Sequence, residues 1–455
     1  MRSGRLRTVH EHGFTVRVAG VSALHHALQT MHEQLWDDEQ GMVRLYGLHL
    51  VRETALGAFL DLELGNVARA ERALHAVLQH QYPLNADARW AGTFKTHAAQ
   101  AAAGTVDSDG RTRDQEWRDF DPNWRQFLGV ILWITERLYG HVLDDDLRTE
   151  MNVAATLAAR SEPVERIDPR YTNIALMQAW LAERCSVQSE LGSAVGEQIA
   201  ADGDISEYNS PTYDAISLFA GCLLTDFSTT DSLRGLGSQV VECITSRLTK
   251  IWHPSFALQA GPYSRAYGID PRTYVSLMAV LMAAIDVPAA GPTHLDDRTT
   301  HVHDLYFLPI FTRMCGGLRG RLNPTQVDQP RRHVQRFGGT LATSILEPHL
   351  MVGFEHGRRN RFALDQYAPF TLYSGDRHLG VRTRPDTAWV DVREVGRHVY
   401  EISTARRTGP HVHHDTAALT ITASHPPIMN DNELLFGDVT LQFPGITVEV
   451  RLARP

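Results

Sequence analysis

The chain is poor in cysteine. Among 455 residues there are four, Cys185, Cys222, Cys243 and Cys315, with no C-x-x-C pair. Thiols this far apart, three of them in apolar helical stretches, exclude a disulfide-stapled scaffold and a cysteine-based zinc site, and read as buried free thiols. Long apolar runs are also missing. No segment approaches the length of a bilayer span, and Met1–His12 lacks the continuous apolar stretch of a secretory leader. The expectation is a cytoplasmic protein with no membrane contact. Positive charge is outweighed: 44 Lys and Arg face 53 Asp and Glu, for a net charge of −9. A nucleic-acid binder would carry a basic face, so no nucleic-acid partner is expected. There is no repeat of fixed period, which argues against a regular solenoid.

What is present is ordinary soluble composition, 43% hydrophobic and 21% charged, in a chain too long for one compact core. From about residue 20 to 320, apolar residues return every three or four positions, which predicts a succession of amphipathic helices. These are Val21–Trp36, Leu48–Leu64, Ala68–Gln79, Trp124–Tyr139, Leu147–Ala159, Thr172–Arg184, Val187–Ala201, Tyr213–Leu224, Ser232–Ile251, Arg272–Ala284 and His303–Cys315. Gln100–Arg113, rich in Ala, Gly, Asp and Thr, reads as a mobile surface loop. Beyond residue 330, short alternating segments punctuated by Gly, Pro, Asp and Asn predict strands. The expected fold class is α+β and multidomain. An (α/α) toroid over residues 1–325 would be followed by an antiparallel β-sandwich over residues 330–455.

Two polar, aromatic-rich motifs interrupt the helices, D-G-D-I-S-E-Y-N-S-P-T-Y (Asp202 to Tyr213) and H-P-S-F-A-L-Q-A-G-P-Y-S-R-A-Y-G (His253 to Gly268). Loops on a rigid scaffold are where reactive groups sit. Arg265 and Tyr267, two apart, point the same way in an extended segment, and a guanidinium beside a phenol favours phenolate. Tyr267 would then take a proton from the carbon beside a carboxylate and return it to a leaving oxygen. His253 would share the base role or hold the carboxylate. In the first motif, Asn209 either donates its amide to the substrate carboxylate, as an oxyanion hole does, or it or Ser210 caps the next helix. Glu207 is the second neutralising candidate, or pairs with an arginine such as Arg265. Asn173, in Tyr171-Thr172-Asn173, is an alternative amide, though capping or core hydrogen bonding also accounts for it. Tyr208, Tyr213, Tyr263 and Trp252 are candidate substrate contacts, core packing being the other reading for such aromatics.

Histidine clusters raise the question of a metal. His411 and His413 share one face of a predicted strand, so a divalent ion there is sterically possible, and His301-Val302-His303-Asp304 opens a predicted helix. For the strand pair a third ligand is not specified by spacing, and no H-E-x-x-H occurs, so no cofactor is expected.

With these residues in view, the chain resembles the (α/α)-toroid polysaccharide lyases, including the alginate-lyase and heparinase II/III-like groups. D-G-D-I-S-E-Y-N-S-P-T-Y is similar to their D-G-x-x-x-E-x-x-S-P-x-Y loop, and H-P-S-F followed by G-P-Y-S-R-A-Y-G to their His then Arg/Tyr arrangement. The architectural likeness spans nearly the whole chain, the motif likeness about thirty residues. It implies β-elimination on an acidic oligo- or polysaccharide. Asn209 would be neutraliser, His253 base or orienting group, Arg265 charge stabiliser and Tyr267 the catalytic tyrosine, in a chain open to homo-oligomerisation. The chain departs from the alginate-lyase pattern in having no adjacent Asn-His pair.

Other readings remain. A glycoside hydrolase on the same scaffold would draw two carboxylates from Asp202, Asp204 and Glu207 with Asp270 or Asp304. A uronate epimerase would return the proton to the opposite face. Asp144-Asp145-Asp146 invites comparison with terpenoid cyclases, although it is not D-D-x-x-D. A non-catalytic glycan-binding protein would do without Tyr267.

Overall fold

The computed structural model describes residues 15–17, 21–358, 366–383, 388–408, 411–413, 419–423, 438–443 and 446–452. Eleven helices fill the described chain up to Cys315: α1 (Val21–Leu35), α2 (Val51–Glu63), α3 (Val67–Leu78), α4 (Trp124–Tyr139), α5 (Asp145–Arg160), α6 (Thr172–Arg184), α7 (Leu191–Asp202), α8 (Tyr213–Phe227), α9 (Asp231–Ile251), α10 (Leu277–Ala284) and α11 (Leu308–Cys315). Short ribbons lie in the connections: β1 (Thr15–Arg17), β2 (Trp36–Asp37), β3 (Met42–Leu45), β4 (Leu48–His49), β5 (Trp252–His253), β6 (Leu258–Gln259) and β7 (His294–Asp296). Among the described residues no helix is long and apolar enough to cross a membrane.

The helices are of two kinds. In α3 only Ala70, Ala73, Leu74 and Val77 are buried, the single stripe of a helix with one face in water. In α2, α6, α8 and α10 nearly every residue is buried, so these helices have neighbours all round. The packing follows this division. Pairs α2/α3, α4/α5, α6/α7 and α8/α9 each join a more buried helix to a more exposed one. The buried partners touch in the order α2, α4, α6, α8, then α10 and α11, and α11 returns to α2.

Four predicted helices start three or more residues later than their periodicity suggests, among them α2 at Val51 and α7 at Leu191. Tyr274 is extended and Ser276 caps α10 through the Ala279 N–H, 3.1 Å away, so the Arg272–Ala284 pattern becomes helix only from Leu277. Val302–Phe307 forms a 3₁₀ turn ahead of α11. Gln100–Arg113 is tied down: Arg111 pairs with Asp107 and Asp119, at 3.0 and 2.7 Å.

The remaining strands are β8 (Arg331–Phe337), β9 (Thr340–Glu347), β10 (Leu350–His356), β11 (Phe370–Ser374), β12 (Arg377–Thr383), β13 (Ala388–Gly396), β14 (Val399–Thr408), β15 (His411–His413), β16 (Leu419–Ala423), β17 (Asp438–Phe443) and β18 (Ile446–Leu452). One sheet runs β16-β12-β11-β10-β9-β8, antiparallel throughout; the other runs β13-β14-β18-β17, with β15 on β14. The all-antiparallel expectation needs one correction, because β14 and β18 are parallel. Between them the chain leaves for the first sheet as β16, so β18 comes back alongside β14 in the same direction.

Val352, Phe354, Phe370, Leu372, Leu379 and Val381 of the first sheet share an apolar core with Val390, Val392, Tyr400 and Ile402 of the second. The opposite face of the first sheet is buried too. There Leu346, Met351 and Tyr373 meet Leu258 and Ala260. Nearby, Ala368 meets Tyr263, Ala266 and Ile269. The segment 253–272 is thus pressed between helices and sheet. Gly353 has to be glycine, because a Cβ there would overlap the Gly261 backbone.

Candidate functional site

The N-terminal ends of the buried helices gather a circuit of polar and aromatic side chains. Arg52, in the first turn of α2, lies over the rings of Trp124, Phe127 and Phe307, with its guanidinium 5.7, 5.8 and 5.3 Å from their centroids. Asn123, just before α4, donates to the Tyr171 hydroxyl (3.0 Å) ahead of α6. Arg265 lies over Tyr171 at 4.8 Å and over Tyr213, the first residue of α8, at 3.7 Å. The Tyr213 hydroxyl donates to that of Tyr267 (3.4 Å). The Tyr267 ring stacks on His301 with centroids 3.7 Å apart and planes 8° from parallel. His301 leads to His303 and Asp304, and Asp304 returns to Arg52 at 3.3 Å. Arg52, Tyr171, Tyr213, Tyr267, His301 and His303 are all partly exposed, and Tyr46, edge-on to His303, is more so.

Burial shapes the chemistry. It pushes the Tyr267 phenol well above its ordinary value of 10.0, with Tyr213 and the Asp304 charge adding to the effect. His301 moves down from 6.5, again chiefly by burial, against the pull of Asp304. Asp121, whose carboxylate accepts the Asn123 N–H at 2.9 Å, is raised above 3.8 by burial although Arg52 and Arg166 oppose this. The sequence therefore predicts the wrong state for Tyr267. No phenolate is favoured, because the Arg265 guanidinium sits on Tyr213 and pairs with Glu207.

The predicted site residues divide into those in the circuit and those holding its walls. Tyr267, Arg265 and Tyr213 are in the circuit. Glu207, buried, joins Arg265 on one oxygen, while the other accepts the Asn173 backbone N–H (2.9 Å) and side-chain amide (2.6 Å). The pairing of Glu207 with Arg265 anticipated from the sequence is present, and Asn173 is a hydrogen-bonding partner inside the wall. Removing one member of such a buried pair typically costs about 3–5 kcal/mol, so this triad holds the loop in place.

Asn209 is not a free amide. It is 0% exposed, its backbone is left-handed (φ 54°), and its Nδ2 donates to the carbonyls of Ala260 and Pro262, both at 2.7 Å. Its Oδ1 accepts from Gln259, also at 2.7 Å. Every hydrogen bond its side chain can donate ties one motif to the other, which overturns the neutralising role; Ser210 does the capping, accepting the Tyr213 N–H at 2.8 Å. His253 stands apart. It is fully buried, its Nε2 donates to the Glu347 carbonyl (2.8 Å), and burial lowers its pKa from 6.5. No hydrogen bond or ring contact joins it to Tyr267 among the described residues, so the shared base role fails.

Tyr208 is sealed between Arg247 and Phe337, and Tyr263 donates to the Gln259 carbonyl (2.8 Å) beneath the sheet. Trp252 belongs to the apolar core of the helices. None of the three reaches solvent enough to meet a substrate. Asp204 pairs with buried Arg247, Asp202 accepts the Gly338 N–H (3.1 Å), and Asp270 pairs with Arg272 (2.8 Å) and His378 (3.2 Å). Asp144 caps α5, accepting from Asp146 and Leu147 at 2.9 and 3.2 Å, which accounts for the acidic triplet. His411 and His413 lie in β15, but their side chains, like His414 and Asp415, fall outside the described residues.

Arg52, Tyr46 and Asp121 were missed by sequence reasoning. Arg52 looks like an ordinary charged position early in an amphipathic helix, and nothing local marks it. His301 was visible as part of a dense titratable run, and Tyr171 as the neighbour of a candidate amide.

A family described as DUF8769, a domain of unknown function, matches residues 23–315. The match covers more than half of the chain, and the protein belongs to that family. The matched stretch runs from within α1 to the end of α11, so it contains every member of the circuit and stops before β8. No curated protein matches the sequence.

Proposed function

We propose that this protein is a carbohydrate-active lyase that cleaves a uronate-containing oligo- or polysaccharide by β-elimination. In this reading residues 1–325 form an (α/α) toroid, the return of α11 to α2 closing the ring, and residues 330–455 form a β-sandwich. The observation that carries the reading is the circuit itself. Two phenols within 3.4 Å of each other, one under a guanidinium, stand partly exposed where the N-termini of several helices converge.

Helix N-termini favour anions, which suits a carboxylate-bearing substrate. Once Tyr213 has given its own phenol proton to solvent, its oxygen takes the C5 proton, with the Arg265 guanidinium over the ring facing the charge. The C4–O bond then breaks, a C4–C5 double bond forms, and Tyr267, protonated at rest, gives its proton to the leaving oxygen. The neutralising amide foreseen in Asn209 or Asn173 has no part, since both are engaged in the wall. The hydrolase reading is weaker here. Glu207 and Asp204 are each bound to a buried arginine.

The test is ultraviolet absorbance of the conjugated unsaturated product over a panel of uronate-containing glycans. Wild type should generate signal, and Tyr267→Phe should lose about 10²–10⁴-fold in rate while keeping its circular dichroism. New reducing ends without absorbance would replace elimination by hydrolysis. An unchanged Tyr267→Phe would remove the tyrosine from the chemistry.

A further inference from the structure

We infer that His301, His303 and Asp304 form a binding site for a divalent transition-metal ion of the zinc type. Each residue offers one ligand atom, and these atoms lie within 4.8 Å of one another. The cluster is contiguous in sequence but assembled by an unusual backbone. His301 has φ 59°, a left-handed conformation uncommon outside glycine, and its Nδ1 lies 3.9 Å from Asp304 Oδ2.

A second observation points to a ligand. The Asp304 carboxylate is 1% exposed, and its Oδ2, 3.9 Å from His301 Nδ1, has no hydrogen-bond partner among the described residues. The Nδ1 atoms of His301 and His303 are likewise buried, with no hydrogen-bond partner among the described residues. Three unsatisfied polar atoms within four residues are rare in a folded protein and ask for something that accepts all of them. A cation does so. The other Asp304 oxygen faces Arg52 at 3.3 Å and His303 Nε2 at 3.6 Å. The Arg52 charge is met by Glu53 at 2.6 Å, so Arg52, Glu53 and Asp304 together leave one negative charge facing the incoming ion.

The donor set selects the metal. Two imidazoles and one carboxylate suit zinc and its first-row neighbours, whereas calcium and magnesium prefer oxygen alone. Ligand distances of about 2.0–2.2 Å are reached by side-chain torsions that draw the three groups together. Three protein ligands leave an open position, and both histidines are partly exposed, which gives the ion a way in. Tyr267 stacked on His301 and Tyr46 edge-on to His303 hold the two rings in orientation. The inference goes beyond the lyase reading, because binding needs no substrate. If both hold, the ion supplies the charge against the uronate carboxylate that Asn209 does not.

The experiment uses the full chain, stripped by chelator and titrated with Zn²⁺ at neutral pH, with stoichiometry by elemental analysis and affinity by calorimetry. One tight equivalent per chain is expected. His303→Ala, at a partly exposed position, should weaken it by more than about 100-fold, beyond what a supporting residue contributes. His411→Ala with His413→Ala should leave it unchanged. His301→Ala provides a second variant if His303→Ala misfolds by circular dichroism. No tight equivalent in wild type, undiminished uptake in His303→Ala or His301→Ala, or loss in the His411/His413 pair would each overturn the assignment. The elimination assay with Tyr267→Phe is read separately, so either proposal can fail alone.

Discussion

Asn209 and His253 show how a polar residue in a promising motif turns into a brace. Asn209 combines a left-handed backbone with three buried hydrogen bonds, and asparagine is one of the few side chains that tolerate that conformation. Asn209→Ala should lose about 2–4 kcal/mol in urea denaturation, since the Gln259 amide and two carbonyls lose their partner in the interior. A loss below about 1 kcal/mol would contradict the bracing role. For His253 the argument concerns pH. Its folded pKa lies below the unfolded value of 6.5, because burial disfavours the imidazolium. The unfolded chain therefore binds the proton that the folded one refuses. This contribution is intact above pH 6.5 and declines as the pH falls below it. Chemical denaturation from pH 8 to pH 5 should show a shallower acid-side decline for His253→Leu than for wild type. Parallel curves would mean that His253 titrates alike in both states.

At the scale of elements, the segment 253–272 is the unit to understand. The sequence presents it as a loop carrying reactive groups. The structure makes most of it a seam. Ala368 exchanges backbone hydrogen bonds with Tyr263 (2.9 and 3.0 Å), Ser344 donates to the Gly261 carbonyl (2.6 Å), and Tyr373 donates to Ile269. A seam this close has no room for extra atoms. Gly353→Ala should cost about 3 kcal/mol or more and expose residues 253–272 to limited proteolysis, the upper end of overpacking. Gly396→Ala, where the nearest atom stands 3.5 Å from the added Cβ, should change stability by less than about 1 kcal/mol. Similar losses for the two would mean that the seam is loose. The same element explains the partial reading of the site. Extended backbone alone would put the side chains at 263, 265 and 267 on one face. Which of them faces solvent depends on a sheet roughly a hundred residues further on, and that wall takes Tyr263 while leaving Tyr267 in the circuit.

At the scale of the whole molecule, helices and sheet share that seam and separate cores lie on either side of it. Neither part can open without uncovering apolar surface on 253–272, so calorimetry should record one transition with calorimetric and van't Hoff enthalpies in agreement. Two resolved transitions would show that the seam contributes little to cooperativity.

The sequence alone determined the helix-then-strand order, the position of most helices, and the presence of reactive groups around residues 202–213 and 253–268. Those properties come from periodicity and turn chemistry, which act over a few residues and survive in any context. The tertiary structure decided which polar groups are engaged and which remain open. It placed Arg265 over Tyr213, Asn209 in the wall, His253 beneath the sheet, and His301 and Asp304 beside Tyr267 and Arg52. Those outcomes depend on burial and on partners far away along the chain, and such contacts leave no local pattern to read.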